Sequence, residues 1–287
     1  MRCAVLVLPM LSSLVSAASV SANVAWPVAN LYSKPSMDAD VVSQAIYGTG
    51  VGILEEKPGW ARVRTPDEYT GWMEESALRK PHEGEPAYAA SGRIARVESL
   101  FANLYQEPDA TRHAPVLTVP FETRLVVEAE PKDNDARWIE ILLVDRRTAW
   151  IQRGDVSFDN PPLSLAALAG FSKRFLGLPY LWGGTSTFGF DCSGFVQMLY
   201  RRVGVMLPRD AQPQADWSGL APVRRADLRP GDLLYFGQSP GKITHTGMYI
   251  GRGEFINATA HEHPCVRIDK LGDAYWTKLL VAARRLK

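Results

Sequence analysis

Cysteine is scarce in this chain: three in 287 residues, at positions 3, 192 and 265. That is too few for a disulfide framework. Neither sign of charge is in excess. There are 32 Lys and Arg against 31 Asp and Glu, a net charge of +1. Only Arg2 is charged among the first 22 residues, so their removal leaves a net charge of 0. This balance argues against a nucleic-acid binder driven by phosphate neutralisation, and against a polybasic membrane anchor. Long apolar runs are also missing. The one candidate, Cys3 to Val15, is shorter than the ~20 residues a spanning helix needs, and Pro9 interrupts it.

That segment has another reading. Met1-Arg2 is a short positive start, an apolar stretch follows, and two Val-Ser-Ala sequences end at Ala17 and Ala22. This is the layout of a cleaved signal peptide over 1–22, with a membrane anchor as the alternative. Cys3 precedes the apolar run and is not placed as a lipid acceptor. An exported chain retains Cys192 and Cys265, which could be bridged, although the surroundings of Cys192 argue otherwise. The expected location is the periplasm or cell envelope, with no stable membrane anchor after signal cleavage.

What is present points to turns and short strands: 23 Gly, 20 Pro and 8 Trp, with 46% apolar and 22% charged residues. Such a composition is globular, and the length suits two or three domains. An internal repeat is visible. Ala29-Asn30-Leu31-Tyr32 recurs as Ala102-Asn103-Leu104-Tyr105, offset by 73 residues. Trp60 with Trp72 recurs as Trp138 with Trp150, offset by 78, so the second copy carries five extra residues, expected around Pro131 to Ala136. Strands are predicted at Val51 to Leu54, Trp60 to Arg64 and Gly71 to Met73. Units of this size fit small barrels; one larger irregular β domain is the alternative. Linkers are expected at Glu83 to Ala90 and Asp159 to Pro162. The divisions are then 1–22, 23–82, 83–160 and 161–287.

The last division changes period. Leu163 to Leu176 is apolar at helical spacing, and Gly177-Leu178-Pro179 breaks it. From Cys192, apolar residues recur at Phe195, Val196, Leu199 and Val203, the spacing of an amphipathic helix. Asp191 and Ser193 are first-turn residues, so Cys192 falls at a helix N-terminus. Free N–H groups and the positive dipole end favour an anion there. A lowered thiol pKa and a nucleophilic thiolate are therefore expected, and the same amides could hold an oxyanion.

A thiolate nucleophile needs a base. His245 lies in Ile243 to Ile250, a strand by alternation, and Gly251-Arg252-Gly253 turns the chain into Glu254 to Ala258. If Ile250 pairs with Glu254, Asn257 pairs with Gly247. Asn257 then shares a face with His245 one diagonal step away, and a one-residue slip would turn it to the opposite face. The hairpin thus predicts Cys192 as nucleophile, His245 as base and Asn257 orienting the imidazole, the logic of a cysteine-protease triad. His82 and His113 are expected in solvent. His261 and His263 form a His-x-His pair without the further ligands of a zinc site, so no metal and no cofactor are expected. Cys265 reads as a bystander.

Four motifs in this order, Y-x-W-G-G from Tyr180, D-C-S-G-F from Asp191, R-P-G-D-L-x-x-F from Arg229 and H-x-G-x-Y-I-G from His245, resemble the NlpC-type cell-wall peptidase family. The resemblance covers roughly 163–287. It implies an α+β fold, a papain-like cysteine peptidase domain, here preceded by two small β-barrels that resemble bacterial SH3-like domains. It implies cleavage of peptidoglycan stem peptides, often between γ-D-glutamate and a diamino acid. Cys192 and His245 match the family's catalytic pair. Asn257 matches its third polar residue, most often His, and Tyr180 matches a Tyr assigned to the oxyanion.

The layout further resembles a subgroup that trims peptides with a free N-terminal L-alanine. Asp191, Ser193 and Asp210 match substrate-contacting positions there, Trp182 is placed with them, and Tyr69 resembles the aromatic by which the first barrel roofs the cleft. Val42 stands where that subgroup offers an acid. The implied partner is a stem peptide or muropeptide, with no nucleic acid. A non-catalytic wall-binding protein and an acyltransferase on the same fold are the competing readings.

Overall fold

The computed structural model describes residues 22–129 and 137–287. The expected signal segment and the five-residue insertion near Pro131 to Ala136 lie outside the described residues, except for Ala22. The chain forms two seven-stranded β units and a six-stranded sheet packed on helices. The first unit runs, in spatial order, Val41–Ile46, Val28–Tyr32, Thr70–Glu74, Trp60–Arg64, Gly50–Lys57, Ala22–Val24 and Leu78–Arg79. The second repeats that order with Leu117–Pro120, Phe101–Tyr105, Thr148–Gln152, Trp138–Leu142, Arg124–Ala129, Ile94–Val97 and Val156–Ser157. The repeated motif has the same physical use in both. Leu31 and Leu104 are fully buried, and Tyr32 and Tyr105 each meet a Trp edge-on at 5.4 Å, Trp60 and Trp138 respectively. Each unit has its own apolar cluster, around Leu31, Val63 and Met73 in one and Leu104, Leu125 and Ile139 in the other.

The third unit holds four helices: α1 (Leu165–Ser172), α2 (Cys192–Arg201), α3 (Ala211–Asp216) and α4 (Ala274–Leu279). Its antiparallel sheet runs Leu220–Pro222, Leu280–Leu286, Leu233–Ser239, Lys242–Gly251, Glu254–Thr259 and Cys265–Lys270. The helix expected over Leu163 to Leu176 is shorter. Ser164 caps α1 by accepting from the Ala167 N–H, and the chain tightens into a 3-10 turn at Lys173–Phe175 before Gly177.

Helix α2 departs further from expectation. Its pattern is amphipathic, yet every residue from Cys192 to Tyr200 is buried. The apolar face packs Phe195 and Leu199 into the sheet core with Phe175, Phe190 and Met248. The polar face meets the first unit and the chain that follows the helix: Gln197 Nε2 donates to Asp67 Oδ2 at 2.8 Å and to the Leu207 carbonyl at 2.9 Å. Periodicity reports which face is apolar, not whether the other face meets water.

Both β units lock onto the third. Gln44 Oε1 accepts from the Thr185 N–H at 3.1 Å, and the Ser43 hydroxyl accepts from Arg209 Nε at 3.0 Å. Gly183 adopts a left-handed φ of 75° where the Val41 strand passes. A Cβ there would lie 2.7 Å from Val41 Cγ1 and 2.8 Å from its carbonyl oxygen, so only glycine fits. From the second unit, Phe121 packs against Phe171 and Phe175 at 5.9 and 5.4 Å, and Glu122 pairs with Arg201 at 2.9 Å.

Candidate active site

Cys192 opens α2. Asp191 is its N-cap, with Oδ1 accepting from the Gly194 N–H at 2.7 Å. Gly194 is required because a Cβ there would stand 2.2 Å from the Gly184 carbonyl oxygen, where the Tyr180-to-Gly184 segment crosses the first helical turn. The Thr246 N–H, on the Lys242–Gly251 strand, is directed at the sulfur.

The expectation of a low thiol pKa is overturned. Burial pushes the Cys192 thiol up to about 12, and the neighbouring Asp191 carboxylate adds to the rise. The N–H groups of Thr246 and Ser193 oppose it but do not win. Desolvation of a thiolate in this closed site outweighs the helix terminus. The same burial pushes His245 down to about 4, against the raising effects of Asn257, Asp269 and Asp191. Burial thus favours the neutral form of both groups.

The His245 hairpin forms with one irregularity. Glu254 pairs with Gly251 rather than Ile250, because Arg252 (φ 56°) and Gly253 (φ 76°) form a two-residue turn with both residues left-handed. Ile250 is accommodated as a bulge, and beyond it the expected register returns, with Tyr249 opposite Phe255 and Met248 opposite Ile256. Continuing that register sets Gly247 against Asn257, and a Cβ on Gly247 would come within 3.0 Å of Asn257 Cβ. His245 Nε2 and Asn257 Oδ1 are 2.8 Å apart.

Two residues of this cluster, Trp276 and Asp269, escaped sequence reasoning, and a third, His261, was read as half of a loop His-x-His pair. Trp276 of α4 stacks on the His245 ring at 5.1 Å and 28°. Asp269 reaches Asn257 from the neighbouring strand at 2.9 Å. His261 stacks on Tyr275 at 3.8 Å and, with His245, Thr244, Thr259 and Trp276, lines a cavity of 350 Å³. No local signal marks Trp276 or Tyr275. Asp269 could have been found from the alternation of Arg267 and Asp269 on a strand following Asn257.

The other expected site residues fall into two groups. Tyr180 borders the same cavity and keeps its proton: burial and the proximity of Cys192 and Asp191 raise its pKa. Tyr69 reaches across from the first unit and donates its hydroxyl to Asp210, with burial pushing the phenol up to about 12. Asp210 stands at the N-cap position of α3 without capping it, and Arg209 turns away from it. Asp67, also from the first unit, adds negative field at Asp210, while its own oxygens accept from Thr65 and Gln197; Val42 packs into the core of its own barrel. Trp182 is 68% exposed at the rim.

Asp191 and Ser193 lie at the start of α2 beside the nucleophile. Asp191 accepts from Gly183 N–H at 3.1 Å, Gly194 N–H at 2.7 Å and both Arg209 terminal nitrogens at 3.0 and 2.5 Å. The Ser193 hydroxyl accepts from Arg209 at 3.0 Å. Both side chains help hold the helix terminus through Arg209.

A thiol at a helix terminus and an imidazole oriented by an amide, carried by one helix-and-sheet unit behind two barrels, define a papain-like cysteine peptidase with SH3-like domains. Residues 177–285 match the NlpC/P60 family and residues 31–78 match the bacterial dipeptidyl-peptidase Sh3 domain. A γ-D-glutamyl-L-lysine dipeptidyl-peptidase of Bacillus cereus is 34% identical over 85% of this chain and 74% of its own length. One of the same name from Bacillus subtilis is 29% identical over 86% and 82%. The crystal structure of an NlpC/P60 family protein from Bacillus cereus superimposes with a TM-score of 0.79 at 28% identity, covering 93% of this chain and 99% of the other. The chain belongs to the NlpC/P60 family and is a cysteine peptidase of peptidoglycan.

Proposed function

We propose that this peptidase is exported and cuts the γ-D-glutamyl–diamino acid bond of stem peptides that begin with a free L-alanine amine. Cys192 is the nucleophile, His245 the base, Asn257 its orienting partner, and Tyr180 with the first amides of α2 the oxyanion site. The Cys192 thiol passes its proton to the imidazole as sulfur attacks the γ-carbonyl of D-glutamate. The tetrahedral oxyanion collapses, the C–N bond breaks, and the imidazolium returns the proton to the departing amine of the diamino acid. Water, deprotonated by His245, then releases L-Ala-D-Glu from the thioester.

The observation that carries the free-amine preference is the Tyr69–Asp210 contact, made by the first barrel over the catalytic unit. A carboxylate there holds an ammonium by charge-assisted hydrogen bonds worth about 1.5–3 kcal/mol, and Asp67 strengthens the negative field. An aromatic roof from Tyr69 would leave no room for a glycan on the same nitrogen. The Bacillus relatives named for γ-D-glutamyl-L-lysine dipeptidyl-peptidase activity support this reading. The test compares cleavage of L-Ala-γ-D-Glu-diamino acid, its N-acetylated form, and muropeptide with the alanine joined to muramic acid. Strong preference for the free amine, lost in Asp210→Asn, is expected. Equal cleavage of all three would mean an open cleft acting on intact wall.

A further inference from the structure

We propose that Asp269 is a positioning residue that sets the tautomer of His245 through Asn257. This rests on the reading of His245 as the base. An amide side chain is nearly symmetric in shape, so something must decide whether Asn257 offers the imidazole an acceptor or a donor. Asn257 is wholly buried and cannot consult solvent. Its Nδ2 donates to Asp269 Oδ2 at 2.9 Å and to the Arg267 carbonyl at 3.3 Å. Its Oδ1 therefore faces His245 Nε2, 2.8 Å away. Reversing the amide would press Oδ1 against a carboxylate oxygen, two acceptors with no proton between them.

With Oδ1 fixed as an acceptor, Nε2 must carry the hydrogen, and Nδ1 is left with the lone pair that takes the thiol proton. Asp269 is itself held. Arg267 grips it through Nε to Oδ2 at 3.0 Å and Nη2 to Oδ1 at 2.7 Å. The two residues share a strand face, with Arg267 opposite Asn257 in the register. The carboxylate that most triads place against histidine is here one step removed, with a neutral amide between. Its charge still favours the imidazolium that forms during attack. Asp191, which caps α2, and His261 of the loop after Asn257 also act on His245, and Tyr180 and Tyr275 line the same cavity.

Three measurements on the full chain test this. In wild-type protein, nitrogen-15 NMR of labelled histidine should report neutral His245 as the Nε2–H form; the Nδ1–H form would overturn the proposal whatever the variants do. Asp269→Asn should lower kcat about 10-fold or more with KM unchanged, since a misassigned tautomer removes the base without touching substrate. The acid limb of its pH profile should move to lower pH because a negative charge is gone. An unchanged kcat and profile would refute the role. The exchanged pair Asn257→Asp with Asp269→Asn returns an acceptor to Nε2 and should recover much of the loss. Recovery no better than Asp269→Asn alone would leave Asp269 a merely structural partner of Arg267. Failure of His245 as the base is separate: it would appear as retained turnover in His245→Ala.

Discussion

Arg209 offers the sharpest test of how the cleft is built. Its side chain is 1% exposed, and it spans two units. It binds both oxygens of Asp191, the hydroxyl of Ser193 and the hydroxyl of Ser43 on the first barrel. Arg209→Met keeps much of the volume and deletes the fork. Asp191 is then a buried carboxylate that still caps α2 but has lost its counter-ion. Breaking a buried pair from one side costs about 3–5 kcal/mol. Arg209→Lys should fall between, because a point charge cannot satisfy both oxygens and both hydroxyls. Adding Asp191→Asn to Arg209→Met should recover part of the loss, since Asn caps helices well and leaves no orphan charge. Urea unfolding followed by tryptophan fluorescence measures wild type, the two Arg209 variants, Asp191→Asn and the double variant, and kcat/KM on stem peptide follows the Cys192 geometry. A cost below about 1 kcal/mol for Arg209→Met, or strict additivity in the double variant, would refute the argument that this pair holds the helix terminus.

Other outcomes follow from the same cluster. Cys192→Ala should abolish cleavage by about 10³-fold or more with the fold intact, whereas Asn257→Ala should cost much less than His245→Ala and Asn257→His should retain activity, all by peptide turnover. With His245 lowered to about 4, the unfolded chain binds the extra proton first as pH falls. Stability should therefore be full above about pH 6.5 and decline by roughly 3 kcal/mol down to pH 4. A His245→Gln variant should lose that portion of the slope in urea titrations at stepped pH, and an unchanged slope would contradict the buried neutral imidazole.

The hairpin shows how far local pattern reaches. Alternation and the Gly251-Arg252-Gly253 turn were enough to set His245 and Asn257 on one face, because strand period and turn length restrict the register to few choices. The turn's true closing pair differs by one residue, and the Ile250 bulge absorbs the difference. The repeat was equally legible, since each copy needs the same buried Leu and Tyr–Trp contact. By contrast, the ionisation of Cys192 was misread. A helix N-terminus is visible in sequence, but the enclosure that desolvates the sulfur is assembled by segments far along the chain.

Sequence by itself therefore determined the elements, the nucleophile's place at a helix start, and the pairing of base with amide, all products of short-range periodicity and turn chemistry. Tertiary structure alone decided what covers them. Gln44 meets Thr185 across 141 positions, Ser43 meets Arg209 across 166, and Trp276 arrives on His245 from α4. Such contacts carry no local spacing to read, because the packing of whole units brings them together. The same packing of units buries the Cys192 thiol and brings Tyr69 of the first barrel to Asp210.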